Sequence, residues 1–169
     1  MRAWYLLALP IAQAVLVNHT IDDEQGDSEI QFSPSDGWSQ GSTCFGCKAT
    51  QGGVSNNSAF NGTWHDSTHH PGDGGRTVTL SFSGTAVYAF GIMGNDFGPG
   101  VTTLTNLSVV LDQLTVGNFV HSPTNSTDIQ YNASIFAVQN LENIPHQLVI
   151  TANSSEAPSL FLFDYAIYT

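Results

Sequence analysis

Residues 76–93, RTVTLSFSGTAVYAFGIM, decide the fold class. From Arg76 to Phe82 the chain alternates: Val78, Leu80 and Phe82 fall on one face, Thr77, Thr79 and Ser81 on the other. A period of two marks a strand with one buried face. Ser83-Gly84 is a turn signal and Ala86 to Met93 is a second β-branched and aromatic run, so the segment reads as a hairpin. The same pattern continues outward. Leu104 to Leu111 and Leu114 to His121 flank a turn at Asp112-Gln113, and Tyr131 to Val138, Gln147 to Ala152 and Leu160 to Tyr168 are further strands. Weaker strands are expected near Val17 to Ile21, Ile30 to Phe32 and Ala59 to Trp64, with residues 95–100 (NDFGPG) as a loop. No stretch has helical periodicity, and no repeat of about 20–50 residues is present. Short strands with turns every 8–12 residues or so predict an all-β fold, an antiparallel β-sandwich or jelly roll. Without helices between the strands, a βαβ architecture is excluded.

The chain has 169 residues, a formal net charge of −11 and only 10% charged residues. That length suits one domain with a substantial core. Its basic side chains are Arg2, Lys48 and Arg76. Phosphate binding works by counterion release to Lys and Arg, so nucleic acid and anionic membranes are excluded as partners. Disorder is excluded too, because 11% of residues are aromatic and charge is sparse. Residues 1–14 read as a secretory signal: a basic start, an apolar run from Ala3 to Ile11, and the small-x-small site Ala12-Gln13-Ala14. Residues 15–169 are then the β-sandwich domain, secreted and extracellular. The apolar run is too short to span a bilayer, and no membrane insertion is expected. Asn-x-Ser/Thr sequons occur at Asn18, Asn56, Asn61, Asn106, Asn125, Asn132 and Asn153. In a secreted chain they are glycosylation sites, and glycans would supply the hydration that charge does not.

Several segments resemble a family of secreted and membrane-anchored fungal proteins with a galactose-binding-domain-like jelly roll. They are Ile21-Asp22-Asp23 through Ser28, GWSQGSTCFGC (residues 37–47), FNGTWHD (60–66), FSGTAVY (82–88) and LFDYAIY (162–168). The likeness spans the mature chain. Many members continue into a linker, a transmembrane helix and a tail. This chain ends at its last predicted strand, which favours a free secreted module. The resemblance implies an N-terminal loop that meets the final strand around a structural calcium. Asp164 would then join Asp22 and Asp23 as metal ligands, and the run Asp22, Asp23, Glu24, Asp27 supplies the oxygens that calcium takes. The same run also reads as a solvated acidic loop.

Cys44 and Cys47 form a C-x-x-C. A secreted chain with two cysteines favours a disulfide closing a tight loop over zinc or redox chemistry. His65, Asp66, His69, His70 and Asp73 crowd the segment WHDSTHHPGD, whose Pro and Gly predict a loop. Such groups ligate zinc or copper, though a polar loop is the simpler reading. Aromatic rings pack the C–H face of a pyranose, and polar neighbours orient it. Trp38, Trp64, His65, Asp66 and Phe97 are the candidate ligand-binding residues, with Asn95, Asp96 and Asn118 as further polar candidates. The alternative for each Trp is burial.

Enzymatic readings find little. Gly26-Asp27-Ser28 resembles a GDSL nucleophile block, but Asn143 stands where the Asp three before His146 is needed, and the α/β pattern is missing. The strands lack the two carboxylates of a glycosidase. The chain is therefore expected to be a non-catalytic module that binds glycans or cell-surface glycoconjugates. The alternative is a structural or interaction protein of the cell wall or extracellular matrix, and the third reading is a hydrolase.

Overall fold

The computed structural model describes residues 17–24 and 29–169, so the expected signal at 1–14 and Asp27 lie outside the described residues. The described residues form nine strands: β1 (His19–Asp22), β2 (Ile30–Ser33), β3 (Ser39–Gln40), β4 (His65–His69), β5 (Arg76–Met93), β6 (Thr105–Leu111), β7 (Leu114–His121), β8 (Gln130–Ala152) and β9 (Ser159–Tyr168). All pairings are antiparallel. The all-β sandwich expected from the sequence is what the chain forms. One short helix, α1 (Lys48–Gln51), lies between β3 and β4. Its single turn is too short to show a helical period in the sequence.

Residues 76–93 are not a hairpin. β5 runs unbroken and pairs along its length with β8, from Arg76 opposite Ala152 to Met93 opposite Gln130. The turn signal at Ser83-Gly84 is instead a register shift between Gly84 and Ala86. It changes the phase of the alternation. Before it the even residues Val78, Leu80 and Phe82 enter the core; after it the odd residues Val87, Ala89 and Met93 do. An extra residue at a bulge moves side chains to the other face. Gly84 is needed there because a Cβ would stand 2.3 Å from the Thr169 carbonyl oxygen. The Thr85 N–H donates to that same oxygen at 2.6 Å.

The two halves of β5 therefore serve two layers. The first half pairs with β2 and with the later part of β8, which carries β6 and then β7. The second half pairs with β9, which carries β4 and β1. The expected strands at 131–138 and 147–152 are likewise one strand, β8. The β6–β7 hairpin forms as predicted, with Asp112 and Gln113 at φ 49° and 68°, the two left-handed residues of a tight hairpin turn. Two further expectations fail. Phe60–Gly62 is a 3₁₀ turn rather than a strand, and His65–His69 is a strand rather than a loop. Composition misled here, because β9 supplies a ladder for β4 that a polar sequence does not advertise.

Candidate functional site

β9 and β4 separate two cores. Phe161 and Phe163 of β9 face the main core between the layers, while Leu160 and Leu162 face a second cluster with Trp64, Ala49, Val54, Ile92 and Phe97. β4 alternates in step. His65 and Ser67 lie opposite Phe163 and Phe161, and Asp66 and Thr68 lie opposite Leu162 and Leu160. The second face is covered by the segments around 41–60 and 94–104 rather than by a sheet. Where that cover parts, a cleft of about 610 Å³ opens, lined by Asp66, Thr68 and His70 along one wall, Cys47, Lys48 and Ala49 along another, and Phe97 and residues 99–102 with Pro158 and Leu160 closing it.

Asp66 is the most unusual group in this cleft. It is buried, and desolvation alone pushes its pKa up to about 6. Among the described residues no donor pairs with it, and its oxygens, unlike Asp164 Oδ2, are not sealed from solvent. A carboxylate so poorly hydrated favours a ligand that brings donors to it. Lys48 donates from Nζ to Gln51 Oε1 at 3.0 Å. Phe97 is buried over two glycines; a Cβ would stand 2.1 Å from its ring at Gly94 and 2.4 Å at Gly52.

Of the five candidate ligand-binding residues, the structure brings Asp66 and Phe97 to the cleft. The other three are core groups. Trp64 is fully buried, with its indole against Gly41, where a Cβ would lie 1.9 Å from Nε1. Trp38 is half-buried and packs on Phe32 and Phe161 at 5.0 and 5.3 Å, donating from Nε1 to the Ser33 carbonyl at 3.4 Å. His65 is buried and stacks on Phe32 at 3.9 Å. Their ring faces are taken by other side chains, so none offers a platform. Asn95 and Asp96 build loop structure, with Asn95 bonded to Asp128 and Thr124 and Asp96 accepting from the Gly98 N–H. Asn118 is exposed on β7.

The sequence reading missed Thr68 and His70 as wall residues and Lys48 altogether. Reading 64–70 as a strand would have found the first two, since 66, 68 and 70 share one face at a period of two. It also passed over Phe45. The disulfide forms as expected, Cys44–Cys47, and its ring leaves Phe45 92% exposed. The signal was present: a four-residue covalent loop has no core for its central side chains to enter.

The three aspartates expected to hold calcium do come together. Asp23 and Asp164 are both fully buried. Asp23 accepts from Thr63 Oγ1 at 2.6 Å and pairs with His65 Nδ1 at 2.8 Å. Asp22 accepts from Asn61 Nδ2 at 2.6 Å and from the Asp23 N–H at 2.8 Å. Asp164 accepts from the Phe60 N–H at 3.0 Å, and its other oxygen, Oδ2, is buried with no partner. That orphaned oxygen suits a hard cation, but five of the six carboxylate oxygens already accept from protein donors. Among the described residues no three His, Cys, Asp or Glu side chains form a group that could hold a metal. As placed, Asp22, Asp23 and Asp164 do not fit a calcium site. Burial, with the charges of Asp23 and Asp22 adding to it against the Phe60 N–H, pushes the Asp164 pKa up to about 7. The zinc or copper reading of residues 65–73 fails for a related reason. His65 and His69 turn inward, away from His70, and His69 Nε2 bonds the Ser154 carbonyl at 2.9 Å.

A second cavity, of about 870 Å³, lies between the β6–β7 turn, the end of β9 and residues 144–147 of β8. It holds a second Asp–His pair, Asp112 Oδ2 with His146 Nδ1 at 2.7 Å. His146 Nε2 faces the Glu142 carbonyl at 2.8 Å. Both ring nitrogens face acceptors, which favours the protonated ring, and the Glu142 carbonyl first and Asp112 after it raise the His146 pKa.

No protein-family model matches the sequence, and no curated protein matches it. Solved structures do match in fold. A family 35 carbohydrate binding module from Clostridium thermocellum superposes with a TM-score of 0.51 at 9% identity, over 89% of this chain and 98% of that one. The Agl-KA catalytic domain gives 0.53 at 9% identity over 92% of this chain and 28% of that one. An exo-β-1,3-galactanase from Phanerochaete chrysosporium, solved with galactose, gives 0.50 at 16% identity over 91% and 30%. This chain spans less than a third of each of these two chains. At such identities the likeness establishes the shared β-sandwich fold.

Proposed function

We propose that this chain is a secreted, non-catalytic glycan-binding module whose ligand enters the cleft beside β4. The observation that carries this reading is the buried, unpartnered Asp66 in a cleft with an apolar floor. Leu160, Phe97 and Ala49 provide apolar surface, and Asp66, Thr68, His70 and Lys48 provide acceptors and donors along two walls. An apolar surface with a few convergent polar groups is what an uncharged sugar ring requires. A carboxylate accepts from two adjacent hydroxyls, which would satisfy Asp66. The fold it shares with a carbohydrate binding module supports the reading by analogy only. Secretion and glycosylation are consistent with the sequon asparagines: Asn106 is half-buried and the other six are exposed.

The test is a glycan array probed with the recombinant full chain, with and without calcium. Binding of at least one neutral glycan is expected. Asp66→Ala should weaken it about tenfold or more, in line with about 1.4 kcal/mol or more for hydrogen bonds to a charged group. Affinity should also rise with pH through about 6, as Asp66 ionises. Binding to no glycan under either condition refutes the reading.

One observation favours the alternative, a structural or interaction protein. β7 ends its sheet, contains no Asp, Glu, Lys or Arg, and exposes Leu114, Val116 and Val120 at 70%, 43% and 50%. Such an edge is open to strand pairing. Sedimentation that shows concentration-dependent association, lost in Val116→Lys, would support that role.

A further inference from the structure

Phe45 is the most exposed large hydrophobic side chain among the described residues. It is also among the most firmly presented. The Cys44–Cys47 bridge closes its loop. Within that loop the Cys47 N–H donates to the Cys44 carbonyl at 3.2 Å, and Gln51 Nε2 donates to the Phe45 carbonyl at 3.1 Å. The base is tied down as well: the Cys44 N–H and Thr50 Oγ1 both bond the Gly41 carbonyl, at 3.3 and 2.9 Å. Gly46, beside the ring, would meet nothing within 4 Å even with a Cβ. An apolar ring held in water by a covalent clamp gains nothing for folding. Its fixed backbone reduces the ordering cost of any contact it makes.

The place of the loop points to the ligand. Cys47, which closes the loop, and Lys48, which follows it, line the cleft, while Phe45 does not. Phe45 stands two residues from Cys47, a reach of at most about 7 Å along the chain. We propose that Phe45 is a stacking platform for a second sugar unit, so that the site takes an oligosaccharide rather than a single sugar. This rests on the glycan reading of the cleft. One pyranose occupies the cleft against Asp66 and Thr68. The next lies outside it with its C–H face on the Phe45 ring. The platform makes no hydrogen bonds, so it selects for chain length and leaves sugar identity to the cleft.

The experiment is calorimetric titration of the full chain with galactose, glucose and mannose and with their linear β-1,4-linked trioses. A triose is expected to bind about tenfold tighter than its monosaccharide. Phe45→Ala removes that gain and leaves monosaccharide affinity unchanged, and Phe45→Trp retains or increases it. At 92% exposure neither substitution disturbs folding, which an unchanged melting temperature verifies. Cys44→Ser with Cys47→Ser releases the loop, and the triose gain falls as in Phe45→Ala. If triose binding is insensitive to Phe45→Ala, the platform is refuted while the cleft reading stands. If no probe binds, both fall. Phe45-dependent binding to neutral phosphatidylcholine vesicles, with none to trioses, would refute the platform and assign the ring to a lipid surface.

Discussion

Two aspartate–histidine pairs of nearly equal length, 2.8 Å at Asp23–His65 and 2.7 Å at Asp112–His146, behave in opposite ways. The Asp23 pair is buried between the acidic N-terminal strand, β4 and β9. Desolvation there outweighs the bonds from His65 and Thr63, and the Asp23 pKa is raised. The Asp112 pair sits at a hairpin turn with its carboxylate 43% exposed. There the Gln147 N–H and then His146 hold the Asp112 pKa below the usual range. Nearly the same contact thus accompanies a raised acid pKa where both side chains are buried, and a lowered one where the carboxylate reaches water beside a buried histidine. Solvent access determines which.

The largest expected difference follows from removing each acid. Asp23→Ala strands a buried His65 and removes the acceptor of Thr63. Breaking a buried pair costs about 3 kcal/mol or more. Asp112→Ala also leaves a buried histidine, but His146 keeps the Glu142 carbonyl and the lost carboxylate was 43% exposed, so its cost should stay at about 1–2 kcal/mol, including the lost Gln147 N–H bond. Urea midpoints of the two variants measure the gap. Equal losses would mean that burial does not distinguish the pairs.

The second prediction concerns pH. Asp23, Asp66 and Asp164 all have raised pKa values in the folded state, to about 6 for Asp66 and about 7 for Asp164. An acid whose folded pKa lies above its unfolded value binds more protons when folded. Its effect is most favourable below the unfolded pKa near 3.8 and is lost as pH climbs through the folded value. Stability should therefore fall between about pH 4 and pH 7. Asp164→Asn should flatten that slope, because the amide cannot ionise. Melting curves across this range test both statements, and a rising slope contradicts them. Calcium sharpens the test, since a ligating carboxylate must be deprotonated. With five of the six oxygens of Asp22, Asp23 and Asp164 already bonded to protein donors, calcium should not restore stability at pH 7. A large rise in melting temperature would show that Asp164 Oδ2 is a ligand after all.

Local pattern predicted the strands well and predicted their connections poorly. The alternation at Val78, Leu80 and Phe82 is a property of neighbours in sequence, and it held. The turn signal at Ser83-Gly84 misled because the glycine accommodates Thr169, about 85 residues away along the chain. The same limit applies to the site. Asp22, Asp23 and Asp164 do approach one another, but the sequence could not reveal that Asn61, Thr63 and the Phe60 N–H would already use their oxygens. Trp64 looked available among polar residues, yet Gly41 lets its indole press against backbone. Asp66 was legible as a polar group near an aromatic. Its lack of a partner was not, because isolation depends on everything folded around it.

The smallest effect gives the most direct view of the surface pair. The Glu142 carbonyl, and after it Asp112, raise the His146 pKa against a partial desolvation that lowers it. A histidine with a raised folded pKa adds stability that is complete below about 6.5 and is lost as pH rises through the folded value. This limb therefore lies at higher pH than most of the Asp23, Asp66 and Asp164 slope. Proton NMR of the imidazole ring should place the His146 midpoint above 6.5. Asp112→Asn removes the carboxylate's contribution and leaves the Glu142 carbonyl's, which is the largest single cause, so the midpoint should move down while staying above that of a free histidine. Asp23→Asn should leave it unmoved, since among the described residues His146 bonds to Asp112 and Glu142 and not to Asp23. If Asp112→Asn leaves the midpoint in place, the carbonyl alone holds the proton and the pair is contact without coupling. If the midpoint falls below 6.5, Asp112 outweighs the carbonyl.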